Sequence, residues 1–167
     1  MVYPYETRVI KEVAKSFCNS INRKESSKGI RAYYFDDAEN KIYLTIDGIR
    51  IHVMDKDLFP FDLMKICEEA PKKQVKDFVD NAQGISLYMD CIKVDPVAKG
   101  LYMAVYKGHG KTIYIDYSLL KIFGDNPIIK ANPKSDEVVS VYSSVKDILL
   151  GGIMTLKMQD PIDGSQE

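Results

Sequence analysis

KTIYIDYSLLKIFGDNPIIKANPKSDEVVSVYSSVKDILLGGIMTLKM, residues 111–158, carries the clearest order of elements in this chain. Residues 112–115 are β-branched and aromatic, the composition of a strand. Residues 117–123 form a short helix that Gly124 ends, because glycine accepts the left-handed conformation of a helix terminus. Residues 127–131 give a second strand, and 137–142 with 148–156 a closing hairpin. Consecutive strands joined by short turns favour antiparallel pairing over a doubly wound sheet.

Upstream, residues 7–23 read as a helix, with Val9, Ile10, Val13, Ala14, Phe17, Cys18 and Ile21 at three- and four-residue steps and Thr7 as its cap. RKESSKG, residues 23–29, is a polar loop. The period then falls to two. Residues 30–35, 42–45 and 49–53 predict a three-strand meander with a polar turn at 36–40. Asp47-Gly48 marks a two-residue hairpin turn. Phe59-Pro60-Phe61-Asp62 opens a second helix through about residue 70. Residues 71–84 are loop-like, with one helical turn around 75–79. Strands return at 85–94 and 101–106, and Gly108-His109-Gly110 turns the chain into the strand at 112. The expectation is one α+β domain over residues 1–158, antiparallel meanders packed by a long N-terminal helix and two short helices, with a flexible tail at 159–167.

A chain of 167 residues buries enough surface to need no metal or disulfide staple. Net charge is −1, which argues against a chain-wide basic surface for nucleic acid and against an acidic nucleic-acid mimic. The balance shifts locally. Residues 1–30 carry six Lys/Arg and three Asp/Glu, whereas residues 31–64 carry four and seven. Cys18, Cys67 and Cys91 are odd in number and far apart, as expected of reduced thiols, with Cys18 packed on the apolar helix face. No apolar signal core opens the chain and no apolar run reaches membrane-spanning length, so a cytoplasmic location is expected.

Sites for chemistry are few. Gly108-His109-Gly110-Lys111-Thr112 ends like a phosphate loop, but Val105 stands where that motif needs its first glycine and a strand follows where it needs a helix. His52 and His109 have no Cys or carboxylate at metal-ligand spacing, so no metal and no cofactor are expected. A nucleophile pair of Cys91 or Cys67 with His52 needs tertiary contact. The acidic residues Asp36, Asp37, Glu39, Asp55 and Asp57 fall in turns, where carboxylates are solvated or meet a basic partner. Asp36, Asp37 and Glu39 lack the glycine and terminal glutamate of a calcium loop. Eleven tyrosines and no tryptophan put aromatics on most strands. These serve packing or a protein interface, since the ribonucleoprotein signature is absent.

Residues 111–158 resemble the closing part of a bacterial sliding clamp. Ile113-Tyr114-Ile115-Asp116-Tyr117-Ser118-Leu119-Leu120 matches that family's strand-to-helix step, and Ile153-Met154-Thr155-Leu156-Lys157 stands where its terminal strand would. Residues 30–64 play the preceding half. The resemblance implies a clamp-like α+β domain, but Thr155 replaces the expected proline and the length suits one domain of three. Ring closure, DNA encirclement and binding residues are not implied. In composition the chain also resembles small accessory proteins of bacteriophages and mobile elements. That likeness implies a non-catalytic protein-binding role, such as inhibition of a host CRISPR nuclease, with a nucleic-acid-processing complex as partner and no direct nucleic-acid contact. The alternatives are a clamp-like oligomer tethering a partner to DNA and a small enzyme with an unrecognised site.

Overall fold

The computed structural model describes residues 4–22, 31–82, 87–145 and 148–157. The polar loop expected at 23–29 and the tail expected at 159–167 lie outside them. The chain is α+β, as its pattern predicts. Helix α1 (Tyr5–Asn22) precedes strands β1 (Ala32–Asp36), β2 (Lys41–Thr45) and β3 (Arg50–Asp55). A 3-10 turn, the one-turn helix α2 (Phe61–Met64), the two-residue strand β4 (Glu68–Glu69) and helix α3 (Lys72–Ala82) follow. Strands β5 (Leu87–Ala98), β6 (Leu101–Gly108) and β7 (Lys111–Asp116) lead into helix α4 (Tyr117–Leu120) and a 3-10 turn, Lys121–Phe123. Strands β8 (Ile128–Asn132), β9 (Ser135–Tyr142) and β10 (Leu149–Met154) close the chain. Among the described residues no helix is long and apolar enough to cross a membrane.

The strands form one sheet in the order β4-β1-β2-β3-β10-β9-β8-β5-β6-β7. Every pairing is antiparallel except β4 with β1. Past β10 the chain donates from Thr155 N–H to Glu137 O at 2.9 Å and from Leu156 N–H to Tyr114 O at 2.7 Å. That tail stitches β9 to β7, so the β7 end of the sheet curls back on its middle. Gly108-His109-Gly110-Lys111 is a tight hairpin, Gly108 opposite Lys111 with His109 and Gly110 at φ 51° and 76°. It makes no phosphate loop.

The two faces are covered by different helices. Ile42, Leu44, His52 and Met54 point to the face that α1 and α4 cover. Tyr43, Ile51 and Val53, at the alternate positions, meet Val75 and Val79 of α3. Burial on both faces explains the near-continuous apolar run of β2 and β3. Here the structure corrects the sequence reading. Residues 71–84, read as loop-like, contain an eleven-residue helix. The helix expected from Phe61 to about residue 70 stops at Met64 and gives way to β4. A mostly polar helix shows only a thin apolar stripe in sequence, and the sheet face supplies the stability its composition lacks.

Further corrections concern α1 and the β2–β3 turn. The helix begins at Tyr5, so Thr7 lies inside it and caps nothing. Its contact stripe is Tyr5, Val9 and Val13, with Ile10 packed beside them, whereas Cys18 and Ile21 are exposed. The β2–β3 connection spans residues 46–49 rather than two residues. Asp47 Oδ1 accepts from the N–H groups of Ile49 and Arg50, each at 2.9 Å, and Gly48 takes φ 75°.

A polar node sits inside the first core. The Tyr5 hydroxyl donates to Leu150 O at 2.8 Å and lies 2.7 Å from His52 Nδ1. With its single proton given to the carbonyl, the hydroxyl oxygen accepts from Nδ1–H. His52 is fully buried, and its Nε2 has no hydrogen-bond partner among the described residues. Protonation would bury a charge with an unpaired N–H. Burial, and secondarily Arg50, therefore lowers the His52 pKa from 6.5 to about 3. Phe123 packs on both rings, at 5.9 Å from Tyr5 and 5.1 Å from His52. Leu150 is the extra residue at a bulge in the β9–β10 ladder. Beside it Gly151 has φ 156°, and a Cβ there would stand 1.9 Å from Ile51 O.

Two outcomes follow for stability. Gly151→Ala forces β10 away from β3 and should cost several kcal/mol, about 3 or more, in urea unfolding. His52 binds protons more readily unfolded than folded, so its contribution is intact above pH 6.5 and is lost as pH falls toward 3. Unfolding free energies from urea titrations across that window should fall with acidity by up to about 1.4 kcal/mol per pH unit more in the native chain than in His52→Asn.

Candidate partner-binding corner

The five acidic residues singled out in the sequence come together at one corner of the sheet. Asp36 ends β1, Asp37 and Glu39 lie in the β1–β2 turn, Asp55 ends β3 and Asp57 lies in the 3-10 turn after it. Register brings them close. Lys41 lies opposite Asp36 on one side and Asp55 on the other. Asn40 at φ 55° closes the turn, and its carbonyl accepts from Lys56 N–H at 2.9 Å.

Lysines interleave with these carboxylates. Lys41 pairs with Asp55 at 2.5 Å, Lys56 with Asp37 at 3.1 Å and Lys76 with Asp36 at 3.6 Å. Asn40 Nδ2 donates to Asp57 at 3.1 Å, and Tyr43 OH to Glu39 at 3.5 Å. Asp36 differs from the others. Its side chain is 15% exposed against a Lys76 side chain 14% exposed, so this pair ties β1 to α3. Asp37, 83% exposed, Glu39, Asp55 and Asp57 face outward. Five carboxylates against three ammonium groups leave the corner acidic.

The histidine–thiol pairings do not form a reactive site. His52 is enclosed and its Nδ1 is taken by Tyr5. Cys91 is exposed on β5, with three strands between it and β3 in the sheet order. Burial pushes the Cys67 thiol up to about 11 despite the opposing Arg31, so it is held as the un-ionised thiol and not as a nucleophile. Among the described residues no group of three His, Cys, Asp or Glu side chains could hold a metal.

Sequence reading missed a second polar feature. A cleft of about 390 Å³ between α1 and α4 is lined by Arg8, Lys11, Glu12, Arg50, Ser118 and Lys121. Arg8 Nε donates to Ile122 O at 2.9 Å and Arg50 Nη1 to Leu119 O at 2.8 Å. Both arginines thus satisfy carbonyls that short helical turns leave unpaired. Arg50 also pairs with Asp47 at 2.8 Å, which ties the β2–β3 turn to α4. The sequence carried no signal for it, since the lining comes from three separated segments.

The tyrosines divide by position along each strand. Tyr43 and Tyr106 are buried, whereas Tyr88 and Tyr102 are exposed. Lys130, itself buried, lies 4.7 Å from the Tyr88 ring and 3.9 Å from that of Tyr142, a cation–π sandwich across β5, β8 and β9.

The corner therefore separates into a structural acid and surface acids. Asp36→Asn should lower unfolding stability by about 1 kcal/mol, while Asp37→Lys and Asp57→Lys should each stay within about 0.5 kcal/mol of the parent chain. Chemical denaturation of the three variants measures this.

Comparison with protein-family models, curated proteins and solved structures finds no match to this chain.

Proposed function

We propose that this chain is a non-catalytic protein-binding accessory of a phage or mobile element. It docks its acidic corner on a basic surface of a nucleic-acid-processing complex, the mode of an inhibitor of a host nuclease such as a CRISPR effector. The observation that carries this reading is the convergence of Asp37, Glu39, Asp55 and Asp57 on one exposed corner, held by strand register and turn hydrogen bonds. Carboxylates fixed in this way can engage the Arg and Lys groups that a nuclease presents to phosphates. Enclosure of His52 argues against the alternative of an enzyme built on it.

A second reading, a clamp-like oligomer tethering a partner to DNA, has its own support. The order β7-α4-β8-β9-β10 matches the strand-to-helix step and closing strands on which the clamp resemblance rests, and α1 and α4 share one face of the sheet with Lys11 and Lys121 lining the cleft between them.

One experiment separates the two. Tagged protein and a triple variant, D37K/E39K/D57K, are used to capture partners from host lysate with and without nuclease treatment. The first reading expects one protein complex retained after nuclease and lost with the triple variant. Capture that disappears with nuclease favours the clamp-like reading. Capture unchanged in the triple variant removes the acidic corner as the docking site.

A further inference from the structure

Strand β5 has an open side. Strand β8 pairs only with Leu87, Tyr88 and Met89. From Asp90 to Ala98 the ladder runs to β6 alone, and among the described residues no strand lies along the other side. Register shifts at Ile92 and Val97 bracket four regular residues, Lys93, Val94, Asp95 and Pro96. The surroundings are apolar for an exposed edge. Ile92, Val94 and Val97 are exposed on β5, and Tyr102, opposite Pro96 on β6, is 48% exposed. Lys93 and Asp95 pair at 2.8 Å with side chains 58% and 40% exposed.

We infer that this edge pairs with the same edge of a second copy, giving a two-fold dimer centred on Val94. The sequence of the edge is self-complementary in that register and in no neighbouring one. Centred on Val94, an antiparallel pair sets Lys93 of each copy opposite Asp95 of the other and Ile92 opposite Pro96. Centring on Lys93 would oppose two lysines, and centring on Asp95 two aspartates, which is repulsive. The two Lys93–Asp95 pairs become one alternating network of four charges on one face. The two Val94 side chains, with Tyr102 beside them on each copy, meet on the other face.

The same residues limit the assembly to two copies. An unprotected edge recruits strands without end. Here the flanking bulges and Pro96, which has no N–H to donate, stop the ladder after a few residues. A two-fold contact uses the same patch on both copies, so it closes and leaves none free. The acidic corner lies at β1, β2 and β3, near the opposite end of the strand order, and stays open in both copies. The inference does not rest on either reading of function, and it differs from a head-to-tail ring.

Sedimentation velocity or light scattering on the full chain, at concentrations up to about 100 μM, tests it. The expected mass is twice the 19.0 kDa of the chain. K93D and D95K should each weaken association by at least about tenfold, since each places like charges opposite one another. The double variant K93D/D95K restores opposite charges in the same register and should restore the dimer. Circular dichroism checks that all three variants keep the parent fold. A parent chain that stays at 19.0 kDa, a larger assembly, a dimer indifferent to K93D, or a double variant that stays monomeric would overturn the inference.

Discussion

Everything in the first core hangs on the contact of Tyr5 with His52 and the Leu150 carbonyl. These three groups belong to the start of the chain, the third strand and the last strand. A buried hydroxyl and a buried imidazole each lose water on folding, and the loss is offset only if they find one another. That requirement fixes where α1 lies along the sheet. It also accounts for the bulge at Leu150, whose carbonyl leaves the ladder to serve the hydroxyl. Gly151 completes the arrangement, because only a residue without a Cβ lets β10 pass Ile51 at that distance. The half of the sheet built from residues 32–55 and the half built from residues 87–154 are joined by the β3–β10 ladder at this point.

Charged groups then fasten the periphery in a consistent way. Arg8 and Arg50 hold the carbonyls of the turns around α4, Arg31 holds the Ile66 carbonyl and the Ser16 hydroxyl, and Lys76 reaches Asp36 from α3. Each of these side chains crosses between segments far apart in sequence. Cations used in this way are structural. The outward carboxylates of the β1–β3 corner and the exposed edge of β5 sit in different halves of the sheet. One is charged, and the other is short and carries the exposed apolar side chains Ile92, Val94 and Val97.

Much of the secondary structure was legible because the apolar period reported local geometry directly. The three-strand meander, the hairpin at His109-Gly110 and the strand-helix-strand order after Lys111 fall where alternation and glycine place them. Helix α3 was not legible. Val75 and Val79 are fully buried, yet in sequence they sit among lysines, aspartate and glutamine, and a thin stripe resembles a loop until a sheet covers it. Cys18 failed in the opposite sense: it lies on a periodic face, but the residues of α1 that join the core are Tyr5, Val9, Ile10 and Val13, and Cys18 is exposed. The acidic corner was half legible. Its residues were visible as a local excess of charge, but the lysines paired with them arrive from β2, the 3-10 turn after β3 and helix α3, which only the fold brings together.

The sequence by itself determined the fold class, the antiparallel hairpins and which residues carry charge in turns, because these depend on neighbours within a few positions. Only the tertiary structure decided that His52 is enclosed and neutral, that α3 covers the second face, and that β5 keeps an open edge beyond Met89. Each of those outcomes is set by contacts between segments tens of residues apart. Burial, and with it the cost of charge and the availability of backbone groups, is a property of what finally packs alongside.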